Sequence, residues 1–365
     1  MRVAFITDIM TPYMAPVFEA LAARCDLTVF FGSRTGSRAM AWSMREPSFR
    51  YSIVGGPAVS RRVDAADIHP SPRVLLELWR TQPEVVISSG FSFPSLYAAA
   101  YCRVRGARLL IQSDGTRASE SALGREQRAT RAALARAAHG AIGNSTPAVE
   151  RLVELGFHPV HLAPHTSNLE PFLAVGRQRR ASHDGPMRVA AVSRLLENKG
   201  HDHLLRGVAA ARAAGAEIAV TVAGDGPDGP RLRALARDLG LTDVEWLGFV
   251  EPDDLPRTLA RADAFAFSTL GDTFGIALLE AAAAGLPLVT SPYAGAARDL
   301  VQGRGTGFVV EPRDTSELAA KLAVLGADPA LRCRMGQAAH ALAATRTPSD
   351  AAQAYLEAAV AVARG

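Results

Sequence analysis

Short apolar segments alternate with amphipathic ones through two consecutive series, and this constrains the chain more than any other feature. Apolar runs at 3–7, 27–31, 85–88, 109–112, 141–143 and 160–163 read as strands, with helical patterns at 15–24, 74–80, 93–105, 121–138 and 147–155 among them. Strand–helix alternation of this kind folds as a parallel sheet covered on both faces. The pattern lapses after Asn168, where Glu170-Pro171 and Gly176-Arg-Gln-Arg-Arg-Ala-Ser-His-Asp-Gly-Pro186 have linker composition. A second series follows, with strands expected at 188–192, 218–223, 244–247, 264–267, 288–290 and 308–310. Its helices are expected near 201–214, 230–239, 254–261, 274–284 and 315–325, and helices near 329–345 and 349–363 close the chain. A chain of 365 residues exceeds one ordinary core. The expected architecture is α/β, with two Rossmann-like doubly wound parallel-sheet domains at 1–170 and 187–345, a linker at 171–186, and a terminal segment at 346–365.

In open sheets of this class ligands bind beyond the carboxyl ends of the strands, so the turns at Arg194, Gly224, Phe249 and Asp272 should open on one edge. Asp272-Thr-Phe-Gly-Ile-Ala-Leu-Leu-Glu280 follows the apolar run 264–267 and opens a helix. With a helix over 274–284, the amides of Phe274, Gly275 and Ile276 lack intrahelical acceptors and form an anion site at the positive end of the helix dipole. Gly275 admits a ligand close to the backbone. Asp272 either caps the helix or reaches a ligand at its tip. Glu280, about a turn and a half inside, lies in an otherwise apolar helix and needs a polar partner.

Of the 40 basic residues only Lys199 and Lys321 are lysine. Lys199 stands at an expected strand-to-helix turn five residues after Arg194, where the helix dipole repels a cation unless an anion lies between. His201 and His203 flank Asp202, but positions i and i+2 of a helix point apart, which argues against a metal set. Gly224-Asp-Gly-Pro-Asp-Gly229 lacks the G-x-G-x-x-G spacing of a dinucleotide loop, and Gly303-Arg-Gly-Thr-Gly307 reads as a turn.

Asp272 to Glu280 resembles the Glu-x7-Glu signature of the retaining GT-B glycosyltransferases of glycosyltransferase family 4 (glycosyl transferases group 1), with Asp in place of the first Glu. Ala281-Ala-Ala-Ala-Gly-Leu-Pro-Leu-Val289, Arg194-Leu-Leu-Glu-Asn-Lys-Gly200, Val222-Ala-Gly-Asp-Gly-Pro227, Trp246-Leu-Gly-Phe249 and Gly307-Phe-Val-Val-Glu-Pro312 are similar too, in the family's order. The resemblance implies a GT-B fold, two domains facing across a cleft, and a last helix that crosses back to the first domain. It implies transfer of a sugar from a UDP- or GDP-sugar to an acceptor hydroxyl with retained configuration, in glycan, glycolipid or natural-product biosynthesis. On it, Arg194 and Lys199 clamp the donor diphosphate and Glu280 holds the ribose. Asp272 with Thr273 and the amides of Phe274, Gly275 and Ile276 holds the sugar, while Gly224 and the backbone at Phe249 border the nucleotide. Two fixed cations and helix amides supply the charge stabilisation that a departing diphosphate requires, so neither a metal nor another cofactor is expected. No two Asp residues stand two apart, so the metal-holding Asp-x-Asp of other glycosyltransferases is missing. A sugar-nucleotide hydrolase or epimerase, and a non-catalytic sugar-nucleotide sensor, are the alternative readings on the same fold.

The first series departs further from the family. Asp8-Ile-Met-Thr-Pro-Tyr-Met-Ala-Pro16 stands where a glycine-rich loop is common, and Tyr13 either contacts the acceptor or covers the start of a helix. Ser113-Asp114-Gly115 replaces the family's histidine, and Asp114 either binds a hydroxyl or forms the turn. His165 occupies a strand-end loop as a cleft or core histidine, without an assigned catalytic role.

Residues 1–184 hold 22 Arg against 15 Asp and Glu, and residues 185–365 hold 18 basic against 21 acidic residues. The basic first half suits a lipid-linked or other anionic acceptor and peripheral membrane contact, or is scattered over solvated helices. Basic residues are not interleaved with aromatics as in single-strand nucleic-acid binders. Cys25, Cys102 and Cys333 have no paired spacing, and neither a signal peptide nor a bilayer-spanning run is evident, so a cytoplasmic protein is expected, with any membrane contact peripheral at the inner face.

Overall fold

The computed structural model describes residues 1–33, 46–55, 72–179 and 185–364. The chain divides into two compact units, one of residues 1–168 and 346–365, the other of residues 169–345. In the first unit, β1 (Arg2–Ile9), α1 (Ala15–Ala22), β2 (Asp26–Ser33), β3 (Arg50–Ile53), α2 (Arg73–Thr81) and β4 (Val85–Ser89) come first. They are followed by α3 (Phe93–Arg105), β5 (Arg108–Ser113), α4 (Arg125–Ala137), β6 (Gly140–Gly143), α5 (Thr146–Glu154) and β7 (Val160–Leu162). Among the described residues the strands form a seven-stranded sheet in the order β3-β2-β1-β4-β5-β6-β7, and every pairing is parallel. Central strands are buried on both faces, as Val85, Val86 and Ile87 of β4 show, which is why they read as continuous apolar runs.

The second unit begins with α6 (Glu170–Gln178). β8 (Met187–Val192), α7 (His201–Ala213), β9 (Ile218–Ala223), α8 (Gly229–Asp238), β10 (Glu245–Gly248), α9 (Leu255–Ala260) and β11 (Ala264–Phe267) follow. The unit ends with α10 (Ile276–Ala283), β12 (Leu288–Thr290), α11 (Ala297–Leu300), β13 (Gly307–Val309), α12 (Thr315–Ala327) and α13 (Pro329–Ala344). Its sheet is again parallel, in the order β10-β9-β8-β11-β12-β13. The doubly wound α/β class expected from the alternation is therefore present twice. In each sheet the strand order reverses once, beside β1 in the first and between β8 and β11 in the second. Such a reversal is where loops diverge and leave a crevice.

Three elements differ from the sequence expectation. β3 was not anticipated: Arg-Tyr-Ser-Ile is an edge strand with no fully buried position, so it lacks the apolar run of its neighbours. The short α11 was also missed. The segment taken as a linker opens as α6, with its proline in the first turn, where a missing amide costs nothing. Gly176 within α6 is a packing glycine, since a Cβ there would meet the His340 ring and the Ala283 carbonyl at 2.2 and 2.5 Å. Arg179 then donates to the carbonyls of Ala284, Ala262 and Leu259 at 2.8, 2.6 and 2.9 Å, satisfying the last turns of α10 and α9. Residues 180–184, the rest of the expected linker, lie outside the described residues.

The last helix, α14 (Pro348–Arg364), belongs to the first unit. Its Tyr355 ring meets Phe5 edge-on at 5.6 Å in a cluster with Phe18 and Phe31. The buried Tyr355 hydroxyl accepts a 2.8 Å hydrogen bond from Asn144 Nδ2, and that amide also donates to the Ala163 carbonyl at 2.8 Å. Gln112 Nε2 donates to Asn144 Oδ1, so one polar network links α14 to the ends of β5, β6 and β7. Tyr355→Phe should cost about 1 kcal/mol, because Asn144 keeps its other partners, whereas Tyr355→Ala should cost about 3–5 kcal/mol through the cavity. Urea denaturation of the two variants checks this, and equal losses would contradict it.

Candidate functional site

The order of the second sheet places the loop after β8 beside the loop after β11. Asn198, in the first loop, accepts at its carbonyl from Leu270 N at 2.8 Å and Thr269 Oγ1 at 3.0 Å. Ser268 Oγ donates to the Gly200 carbonyl at 2.7 Å. Gly200 has φ +65°, and a Cβ there would lie 2.0 Å from the Ser268 carbonyl oxygen, so only glycine permits this approach. A single turn of 3₁₀ helix, Glu197–Lys199, then delivers Lys199 to the second loop. Its ammonium donates to Asp272 Oδ2 at 2.5 Å, and both side chains are largely buried, at 16% and 18% exposure. The anion that reconciles a lysine with the start of α7 is thus Asp272.

Asp272 also fixes the approach to α10. Its Oδ1 accepts from Phe274 N at 3.1 Å, its own amide donates to the Tyr293 carbonyl at 3.1 Å, and its carbonyl accepts from Gly295 N at 3.0 Å. Gly275 has φ +90°, and α10 starts at Ile276 rather than at Phe274. This corrects the expected donor set. The Phe274 amide is taken by Asp272 and the Phe274 ring is buried, which leaves the first-turn amides to begin at Gly275 and Ile276. Leu278, Leu279 and Ala281–Ala283 are buried, whereas Thr273, Ile276, Ala277 and Glu280 are half-buried. At 100° per residue Ile276, Ala277 and Glu280 share one face of α10, so Glu280 lies on the half-buried flank of the helix that begins just past the Asp272 turn.

Arg194, half-buried, stands two residues past the end of β8. The loop after β9 packs beneath it. Leu195 N donates to the Asp225 carbonyl at 2.9 Å, and a Cβ on Gly224 would lie 1.8 Å from the Ser193 carbonyl oxygen. Close packing of two strand-end loops therefore explains Gly224. Phe249 follows β10 and is 42% exposed, an apolar residue at the same strand-end edge. The structure thus brings Arg194, Lys199, Gly224, Phe249, Asp272–Ile276 and Glu280 to the carboxyl ends of β8, β9, β10 and β11. Tyr293 escaped the sequence reading: its hydroxyl donates to Glu311 Oε2 at 2.6 Å, securing the segment that receives the Asp272 amide. Among the described residues no group of three or more His, Cys, Asp or Glu is arranged to hold a metal.

In the first unit, Tyr13 lies between β1 and α1 with its ring edge against His165, centroids 5.5 Å apart. His165 N donates to the Asn144 carbonyl at 3.0 Å. Asp114 is half-buried just past β5, in a turn where Gly115 N donates to Ser113 Oγ at 3.1 Å. Sequence reasoning missed the network beneath these loops. Gln112 and Asn144 each end an apolar run, the one signal that pointed to them.

Residues 176–341 match the sequence model of the family "Glycosyl transferases group 1", a span that includes every second-unit residue above. A GDP-mannose-dependent alpha-(1-6)-phosphatidylinositol monomannoside mannosyltransferase of Mycobacterium tuberculosis is 37% identical over 158 residues, 41% of this chain and 41% of the relative. A D-inositol 3-phosphate glycosyltransferase of Salinispora arenicola is 32% identical over 233 residues, 59% of this chain and 51% of the relative. The chain thus spans about two-fifths to one-half of these curated relatives. Among solved structures, Anabaena HepE in complex with UDP and glucose has a TM-score of 0.75 at 18% identity, covering 99% of this chain and 100% of that one. A sucrose-phosphate synthase from Thermosynechococcus elongatus has a TM-score of 0.76 at 18% identity, with all of both chains covered. These likenesses are ones of fold.

Directly below Arg194, the buried His201 Nε2 lies 2.8 Å from Ser193 Oγ, and that hydroxyl donates to the Arg194 carbonyl at 3.2 Å. Nε2–H is then the donor to Ser193, and Nδ1 is buried with no hydrogen-bond partner. Burial, opposed by Asp228 and Asp202, pushes the imidazole pKa down to about 4. The unfolded chain takes up this proton near pH 6.5 and the native one only near pH 4, so stability falls as pH drops through that window and levels off below it. The component is on the order of 3 kcal/mol. Thermal melts from pH 7 to 4 should be flatter for His201→Gln than for the parent, and parallel curves would contradict the assignment.

Proposed function

We propose that the chain is a retaining, metal-independent glycosyltransferase that moves a sugar from a UDP- or GDP-sugar to an acceptor hydroxyl. The observation that carries this reading is the Lys199–Asp272 pair at the reversal of the second sheet, beside the first-turn amides of α10. The match of residues 176–341 to glycosyl transferases group 1 supports it, as does the fold shared with HepE, solved with UDP and glucose. The acceptor would be a small molecule, a glycan or a lipid-linked group.

On this reading Arg194 and Lys199 hold the diphosphate, and Glu280 holds the ribose from the flank of α10. The Gly275 and Ile276 amides with Asp272 hold the sugar, and the backbone at Phe249 borders the base. The bond between the anomeric carbon and the diphosphate oxygen breaks as the acceptor oxygen bonds to that carbon. The acceptor proton passes to the departing diphosphate on the same face, which needs no enzymic nucleophile. Charge grows on the diphosphate as the bond lengthens, and fixed cations with amide dipoles stabilise it without reorganisation. Tyr13, Asp114 and His165 of the first unit are placed with the acceptor. Three cysteines without disulfides suit a reducing cytoplasm.

Nucleotide release from a panel of UDP- and GDP-sugars, with and without sugar and lipid acceptors, tests the reading. Acceptor-dependent release is expected. Release to water alone, or binding without release, would assign a hydrolase or a sensor instead. Lys199→Ala should lose about 2–4 kcal/mol of transition-state stabilisation, roughly one and a half to three powers of ten in turnover. Asp272→Asn should keep the Phe274 cap but leave the largely buried Lys199 without its anion, so it should melt below the parent and lose most transfer, and transfer at the parent's rate would contradict the sugar-binding role. Chelation should leave turnover unchanged, whereas a strict need for added magnesium or manganese would contradict the metal-independent part.

A further inference from the structure

We propose that the outward face formed by α2 and the last turn of α3 docks on an anionic lipid bilayer. α2 buries Val74 and Leu78 against the sheet and turns Leu76 and Trp79 outward, 59% and 44% exposed, beside Arg73 and Arg80. α3 buries Tyr101 and Cys102 and leaves Val104 71% exposed between Arg103 and Arg105. The two helices present one surface, because the Trp79 ring meets Tyr101 edge-on at 5.7 Å and the Arg105 guanidinium lies 5.2 Å over the Trp79 ring.

Single exposed apolar residues are ordinary on soluble surfaces. Here three large ones stand on two helices joined through the Trp79–Tyr101 contact, each with an arginine within four residues of it. α2 and α3 together carry four arginines and one carboxylate, Glu77, which is tied to Arg80 at 2.8 Å. That composition matches the boundary between lipid headgroups and acyl chains. Trp79 suits the interface, Leu76 and Val104 the first methylenes, and the guanidinium groups the phosphates. A second copy fits poorly, because a twofold contact would set this positive face against its own image. The surface involves no residue assigned to donor or acceptor, and it stands or falls separately from the transfer reading.

The test uses the whole protein without nucleotide, mixed with phosphatidylcholine vesicles or with vesicles of phosphatidylcholine and phosphatidylglycerol at 7:3. Flotation should show binding at least about tenfold stronger to the anionic vesicles, weakened by 0.5 M salt. The tryptophan emission should shift to the blue on binding, and Trp79→Phe should abolish the shift. Leu76→Ser with Val104→Ser, and separately Arg80→Glu with Arg105→Glu, should each lower binding about tenfold at an unchanged melting temperature. Because all four side chains point outward, at least one pair should fold. No retention on anionic vesicles, equal retention on both vesicle types, or binding unchanged in both folded variants would overturn the proposal. A dimer that these substitutions dissolve would do so as well, assigning the face to a second copy.

Discussion

Parallel pairing is the constraint on which everything else depends. A strand that pairs in parallel with its predecessor must be reached by a crossover, so every strand of a sheet ends at the same edge and every following helix starts there. In the second unit β8 and β11 are neighbours although two strands and three helices separate them in the chain. Their loops are forced together, and the Asn198 carbonyl then holds them in register through Leu270 and Thr269. Lys199 reaches Asp272 across 73 positions of sequence because the sheet order permits no other arrangement of those two loops.

The pairing of Lys199 with Asp272 sets the electrostatics of the turn after β11. A lone ammonium at the start of a helix would be repelled by the dipole and would lose hydration on burial. Held by a carboxylate, it costs less to keep largely buried. On the reading proposed above, a donor phosphate exchanges one partner for another rather than desolvating a bare cation. The neutral His201 has a different origin, since burial outweighs the pull of Asp228 and Asp202 toward the charged form.

Much of this was legible because a buried parallel strand declares itself as an apolar run and a glycine turn marks its end. β3 did not declare itself, since an edge strand with half-exposed residues has no such run. α6 was hidden by Pro171 and Gly176, which read as breakers when taken singly. Only the packed neighbours show that the one sits in a tolerant first turn and the other in contact with His340 and Ala283. The start of α10 is obscured for a related reason: in the sequence Gly275 reads as access for a ligand, whereas its φ of +90° delays the helix by a fraction of a turn. Side-chain networks such as Gln112–Asn144–Tyr355 have no periodicity to betray them, because their partners lie up to 211 residues apart.

That last network bears on how the protein is made. The first unit contains residues 1–168 and also 346–365, so the second unit is an insertion within it. As the polypeptide leaves the ribosome, residues 169–345 emerge whole and can fold while the earlier segment waits. Until Tyr355 emerges, Phe5 lacks the ring packed against it and Asn144 lacks one of its hydrogen-bond partners. The segment synthesised first is therefore completed last.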